Sequence, residues 1–174
     1  MEKDLVKVDR DYVIARLIET LDDLILAVEL WNRGFTRNSA GKVFSSVKAL
    51  LSALVTRYQE RLLGTINDAE EAELIRKKAY VVPTHAMRGI AMLLNRIGID
   101  VEKVANLAYL LHEYQYNGFE PGFSSYSRKR EVLRDISAVI SSIPSLVEKY
   151  FPEEARLPEV MELLVKLKEV KMKE

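Results

Sequence analysis

The chain has no cysteine, which removes disulfides, zinc–thiolate centres and thiol nucleophiles from consideration. It also fits a reducing cytoplasm, the expected location. Glycine (7) and proline (5) are scarce among 174 residues, too few turn-formers for a many-stranded β fold. There is no net charge: 26 basic residues balance 26 acidic ones. That excludes a globally basic nucleic-acid binder, so any anion site must be a local patch. No uncharged apolar run approaches the ~20 residues needed to span a bilayer. The longest, Ile136 to Val147, contains serines and Pro144. The stretch MEKDLVKVDRDYV carries charges where an export signal would have an apolar core. No membrane association is expected. His85 and His112 are the only histidines, and neither lies in a Glu-x-x-His pattern. A glycine-rich phosphate loop and a Gly-x-Ser-x-Gly elbow are both missing, so no metal or cofactor is expected.

What is present is helical periodicity. With 48% hydrophobic residues, 174 residues are enough for one domain with a sizeable core. The 30% of charged residues and the lack of cysteine suit a thermophile. Ile14, Leu17, Ile18, Leu21, Leu24, Ile25 and Val28 recur at helical spacing, which predicts a helix from about Asp9, as N-cap, to Asn32, closed by Gly34. A second helix is expected from Asn38 or Ser39 to about Leu63, with Val43, Val47, Leu50, Leu51, Leu54 and Tyr58 as its stripe. Beside that stripe runs a ribbon of small residues, Gly41, Ser45, Ala49, Ser52 and Ala53. It allows close packing on the first helix or, alternatively, a dimer seam. Asp68 caps a short charged helix, AEEAELIRKKAY, expected to be peripheral. Pro83 and Thr84 open a helix that Gly98 closes, and Asp100 is read as the cap of the next, which Gly118 stops. After the loop FEPGFSSY a long helix starts near Ser127, with Pro144 expected to kink or split it. Pro152 and Pro158 bracket a link to a last helix whose lysine-rich end should fray. The expected architecture is all-α, an antiparallel up-and-down bundle with short peripheral helices. It is read as one domain, 1–174, with its core at about 9–150 and a C-terminal helix at 153–174.

Two stretches carry candidate chemistry. In AYLLHEYQYNGF, Tyr109, His112 and Tyr116 share a helix face, and Asn117 lies one turn past Glu113. This is either a donor–acceptor cluster at a helix end or a packed histidine with tyrosine hydroxyls at its rim. In SYSRKREVLRD, Arg128, Lys129, Arg130 and Arg134 crowd a helix start, where positive charge opposes the helix dipole. Either the face is solvated and partly neutralised by Glu131 and Asp135, or it awaits an anion.

The segments NSAGKVFSSVKALLSAL, AYLLHEYQYNG and SRKREVLRDISAVI resemble the archaeal PaREP-type proteins, within the wider group of HEPN-like helical bundles. That resemblance covers the chain from the first helix to about Tyr150, and LHEYQYNG is its most specific part. It implies a bundle, commonly dimeric, that associates with a nucleotide, an RNA or a protein partner. His112, Tyr116, Asn117, Arg128 and Arg130 would line its anion-facing pocket. Catalytic HEPN domains are metal-independent ribonucleases with an arginine and a histidine separated by four to six residues. Here the nearest upstream arginines, Arg76 for His85 and Arg96 for His112, lie further away, so no catalytic residue is carried over. A non-catalytic binding module is therefore expected first. The alternatives are a divergent ribonuclease using His112 and a scaffold for another protein.

Overall fold

The computed structural model of the chain describes residues 2–78 and 81–173, with side chains described from Asp9 to Arg76 and from Val81 to Lys173. Ala79 and Tyr80, expected to end the short charged helix, lie outside the described residues. The described residues form eight α-helices and no strand: α1 (Glu2–Asn32), α2 (Thr36–Arg57), α3 (Gln59–Leu63), α4 (Ala69–Lys78), α5 (Met87–Arg96), α6 (Glu102–Asn117), α7 (Lys129–Tyr150) and α8 (Pro158–Glu169). None is long and apolar enough to cross a membrane.

The centre is the α1–α2 pair. Side-chain bonds run down it in opposite chain directions: Ser39 Oγ to the Ala27 carbonyl (2.7 Å), Lys42 to Asp23 (2.9 Å), Ser46 Oγ to the Thr20 carbonyl (2.8 Å) and Tyr12 to Ser52 (2.8 Å). The two helices are therefore antiparallel. Their buried apolar residues, including Leu17, Leu21, Leu24, Leu50, Leu51 and Leu54, form the heart of the core. Gly41, Ala49, Ser52 and Ala53 are buried within the single chain, which resolves the small-residue ribbon as internal packing. Gly41 sits on α6, where an added Cβ would lie 2.6 Å from the Gln115 side chain.

Several helix boundaries differ from expectation. Asp9 is interior to α1, so it is not the N-cap of that helix. Asp100 is not the cap of α6, which begins at Glu102 without a side-chain cap; instead the Asp100 backbone N–H donates to the Tyr150 hydroxyl (3.2 Å). The second helix breaks at Tyr58, whose hydroxyl donates to the Tyr150 carbonyl (2.7 Å), a long-range bond that local periodicity does not reveal. Pro144 leaves α7 continuous: its ring is buried, and burial of Val132, Ile136, Val139, Ile143 and Val147 holds the helix through the missing donor. The lysine-rich end does not fray as a helix; α8 stops at Glu169 and residues 170–173 dock against α1. Asp68 does cap α4, accepting from the N–H groups of Glu70 (2.9 Å) and Glu71 (2.8 Å).

Candidate functional site

One end of the α1–α2 pair gathers the α1–α2 link, the C-terminus of α6, the 118–128 loop and the start of α7. Gly118, at φ +59°, turns the chain out of α6, a conformation that suits glycine. The last α6 carbonyls, which have no helical donor, are taken by Arg37: its Nε donates to Gln115 O (2.8 Å) and its Nη2 to Tyr116 O. A guanidinium there also complements the negative end of the helix dipole. The Thr36 and Tyr114 hydroxyls bond at 2.9 Å, tying the start of α2 to α6.

The loop is built on two buried tyrosines. The Tyr114 ring meets Phe119 at 5.0 Å and Tyr126 at 5.8 Å between centroids. The Tyr126 hydroxyl donates to buried Asp135 (2.9 Å), whose other oxygen accepts from Arg134 Nε (2.8 Å). Burial first, then the hydrogen bond to Asp135, pushes the Tyr126 phenol far up, so it stays a donor. Asn117 Nδ2 donates to the Phe123 carbonyl (2.7 Å), and Ser125 to Glu113 (3.0 Å). A loop so pinned holds its exposed side chains in place. Phe35 (56% exposed), Tyr116 (66%), Phe119 (42%) and Phe123 (68%) present large apolar surfaces to solvent at this end.

The cationic part adjoins them. Glu131 accepts from the backbone N–H groups of Ser127 (2.8 Å) and Arg128 (3.0 Å), closing the start of α7. Those two bonds hold its carboxyl below the usual carboxylate range. Because Glu131 is turned to the backbone, Arg128 and Arg130 remain exposed, and neither forms an ion pair among the described residues. Lys129 Nζ lies 5.2 Å from the centre of the Trp31 ring, a cation–π contact that brings α7 to the end of α1.

His112 belongs to the inner edge of this region. Its ring stacks on Phe44 of α2 (centroids 3.9 Å, 20° between planes) and meets Tyr116 edge-on at 5.0 Å. Its Nδ1 is buried without a hydrogen-bond partner. Desolvation pulls its pKa below the ordinary histidine value, while the neighbouring Gln115 side chain pulls the other way. The structure thus joins His112 to Tyr116 and Asn117 to the loop, and sets Arg128 and Arg130 at the start of α7. No hydrogen bond, ion pair or ring contact links His112 to either arginine among the described residues. Phe35, Phe119 and Phe123 were not singled out for the site by sequence reasoning. Their sequence signal was the aromatics placed in glycine-bearing links, RGF and NGFEPGF.

A groove of about 470 Å³ lies elsewhere, at the opposite end of the α1–α2 pair, walled by Arg10, Arg57, Arg61, Asp9, Glu60 and Glu153. Its charges balance. Arg57 is committed to Glu154 (3.4 Å), and Arg61 donates to the Ile97 carbonyl (2.9 Å). The aromatic and cationic end has the larger share of uncommitted groups and is the better candidate. No group of three or more histidines and carboxylates among the described residues is placed to hold a metal.

The sequence profile of the archaeal PaREP1/PaREP8 family matches residues 15–137. The chain belongs to this family. No curated protein and no solved structure matches it. The PaREP1/PaREP8 match runs from α1 into the first turns of α7, and so takes in Phe35, Tyr116, Phe119, Phe123 and the Arg128–Arg130 cluster. The rest of α7, α8 and the docked tail lie beyond it.

Proposed function

We propose that this PaREP1/PaREP8 family member is a non-catalytic, HEPN-like helical module that binds single-stranded RNA at the aromatic and cationic end of its bundle and acts as a homodimer. The observation that carries this reading is the presence at one end of the bundle of four exposed aromatic rings and two exposed guanidiniums, Arg128 and Arg130, that form no ion pair among the described residues. Unstacked bases gain about 1–3 kcal/mol each on aromatic side chains. Phosphates would add counter-charge at this basic helix start. Tyr116 and Phe123 would take bases, Asn117 would hold the loop that presents Phe123, and Arg128 and Arg130 would contact phosphate. His112, wedged between Phe44 and Tyr116, would fix the angle of the Tyr116 ring. We assign His112 this packing role because its ring is stacked on Phe44 and its Nδ1 is buried without a partner. Met161 and Val165, one turn apart and half exposed on α8, would serve the contact between copies.

Anisotropy titrations with short single-stranded RNAs at several salt concentrations test the reading. Binding should weaken as salt rises, by a slope of about −0.7 per phosphate contacted. Tyr116→Ala and the pair Arg128→Ala/Arg130→Ala should each weaken it at least tenfold. No binding at low salt, or an undiminished affinity in the arginine pair, overturns it. Tight, salt-insensitive binding of a protein instead would mark the same surface as a protein contact, since aromatic and arginine side chains also anchor such interfaces. Saturable binding of ATP alone, with no gain from longer RNA, would narrow the ligand to a nucleotide. RNA should survive incubation intact; metal-independent cleavage abolished by His112→Ala would make the protein a ribonuclease. Sedimentation equilibrium reports the dimer, and a monomer at all concentrations refutes that part.

A further inference from the structure

The four described residues after α8, 170–173, are lysine-rich and extended, a composition that usually stays loose. They are nevertheless gripped through their backbone. Trp31 Nε1 donates to Lys173 O (2.9 Å), Asn32 Nδ2 donates to Lys171 O (2.9 Å), and the Lys173 N–H donates to Asn32 Oδ1 (2.7 Å). One asparagine amide thus uses both its donor and its acceptor on residues two apart, which fixes the tail as extended chain. Alternation does the rest. Met172 is half-buried and its sulfur accepts from the Ser137 hydroxyl (3.7 Å), while Lys171 and Lys173 are exposed. Upstream, Lys168 pairs with Glu148 (2.6 Å) and holds the last turn of α8 against α7.

The tail sits on the same indole that carries Lys129, the first residue of the basic helix. Neither Lys171 nor Lys173 forms an ion pair among the described residues. A tail needed only to cover Trp31 would serve best with apolar residues. Instead it puts two exposed lysines on the backbone segment that grips Trp31, the indole that Lys129 also meets. Cations on one face of a protein repel, and an anionic ligand relieves that repulsion.

We propose that the clamped tail is the second half of the RNA face: Trp31 and Asn32 hold it so that Lys171 and Lys173 extend the cationic track from the start of α7 by two phosphate contacts. This rests on the RNA-binding reading above. It assigns to residues outside the family match a role in affinity and in the length of RNA bound.

Two variants separate charge from clamp. Lys171→Gln/Lys173→Gln removes the charges from exposed positions and leaves the backbone grip intact. Asn32→Ala releases the grip and keeps the lysines. Trp31, the only tryptophan, reports docking by fluorescence. In RNA titrations across salt, the lysine pair should flatten the slope by about 1.4, two contacts at about 0.7 each, with Trp31 emission unchanged. Asn32→Ala should shift Trp31 emission to the red and lose a similar share of the slope. An unaltered slope in the lysine pair, while Arg128→Ala/Arg130→Ala still flattens it, overturns the tail's role and leaves the RNA reading standing. Wild-type protein that binds no RNA overturns both. If Asn32→Ala fails to fold, the lysine pair alone decides.

Discussion

Arg57→Met should destabilise this protein far more than Glu154→Met, although the two residues form one ion pair. Glu154 is fully buried, and neither carboxylate oxygen accepts a hydrogen bond. Among the described residues its ion-pair partner is Arg57, whose Nη1 lies at 3.4 Å and which is itself 36% exposed. At an effective dielectric of about 20, charges that close attract by about 5 kcal/mol. Desolvation of the buried partner consumes several kcal/mol of that, so the intact pair contributes little net stability. Breaking it is asymmetric. Removing Arg57 strands a carboxylate in the core, at a cost of about 3–5 kcal/mol, and partial solvation of the site favours the lower figure. Removing Glu154 leaves a guanidinium that can turn to water, a change of about 1 kcal/mol or less. The double variant removes both charges and should recover most of the loss, since an apolar replacement of a buried pair is often neutral or better. For a domain of this size about 3 kcal/mol corresponds to roughly 6–12 °C in Tm. Urea and thermal unfolding of wild type, both single variants and the double variant give the cycle. Equal losses in the two single variants, or a double variant no better than Arg57→Met, would refute the argument, because Glu154 would not then be an isolated buried charge.

The remaining predictions use the same unfolding measurements. Asp135→Ala should cost about 1–3 kcal/mol, because it leaves the buried Tyr126 hydroxyl without an acceptor, and adding Tyr126→Phe should restore part of it. Parity between the single and double variants would deny the coupling. His112 has a folded-state pKa below its unfolded value, so it binds fewer protons when folded. Its contribution is therefore complete above about pH 6.5 and is lost as pH falls from there through the folded value. His112→Phe, which keeps the stack on Phe44, should flatten stability against pH over that window, and an unchanged slope would contradict this. Gly41→Ala should stabilise α2 by about 0.5–1 kcal/mol in a Gln115→Ala background and by less in wild type, where Gln115 must move aside. Equal effects in the two backgrounds would show that the contact is slack.

Much of the fold was legible because its signals are local. Leu17, Leu21 and Leu24 repeat at helical spacing and are buried together, and Gly34, Gly98 and Gly118 take positive φ where helices end. Asp68 caps the helix that follows it. What failed was local reasoning applied to residues with distant partners. Asp9 and Asp100 have cap-like chemistry but different roles. Tyr58 fitted the apolar stripe, yet its hydroxyl is drawn to Tyr150, 92 residues away. Pro144 carried a breaker's signature, yet burial on α7 outweighed it. The candidate site divides the same way. Basic residues at a helix start and a tyrosine after a histidine are visible in one line of sequence. That Phe35, Phe119 and Phe123 share their end of the bundle is not, because they come from separate links.

The amino-acid pattern by itself determined an all-helical chain without thiol chemistry, since periodicity, stop residues and composition act over a turn or two of backbone. Only the tertiary structure decided which charges are already spent. Arg37 is consumed by the carbonyls of α6, Glu131 by the backbone of α7, and the tail by Trp31 and Asn32, while Arg128 and Arg130 form no ion pair among the described residues. The reason is physical. Helix formation depends on neighbours within four residues, whereas the commitment of a charge depends on whichever groups packing places within about 4 Å of it.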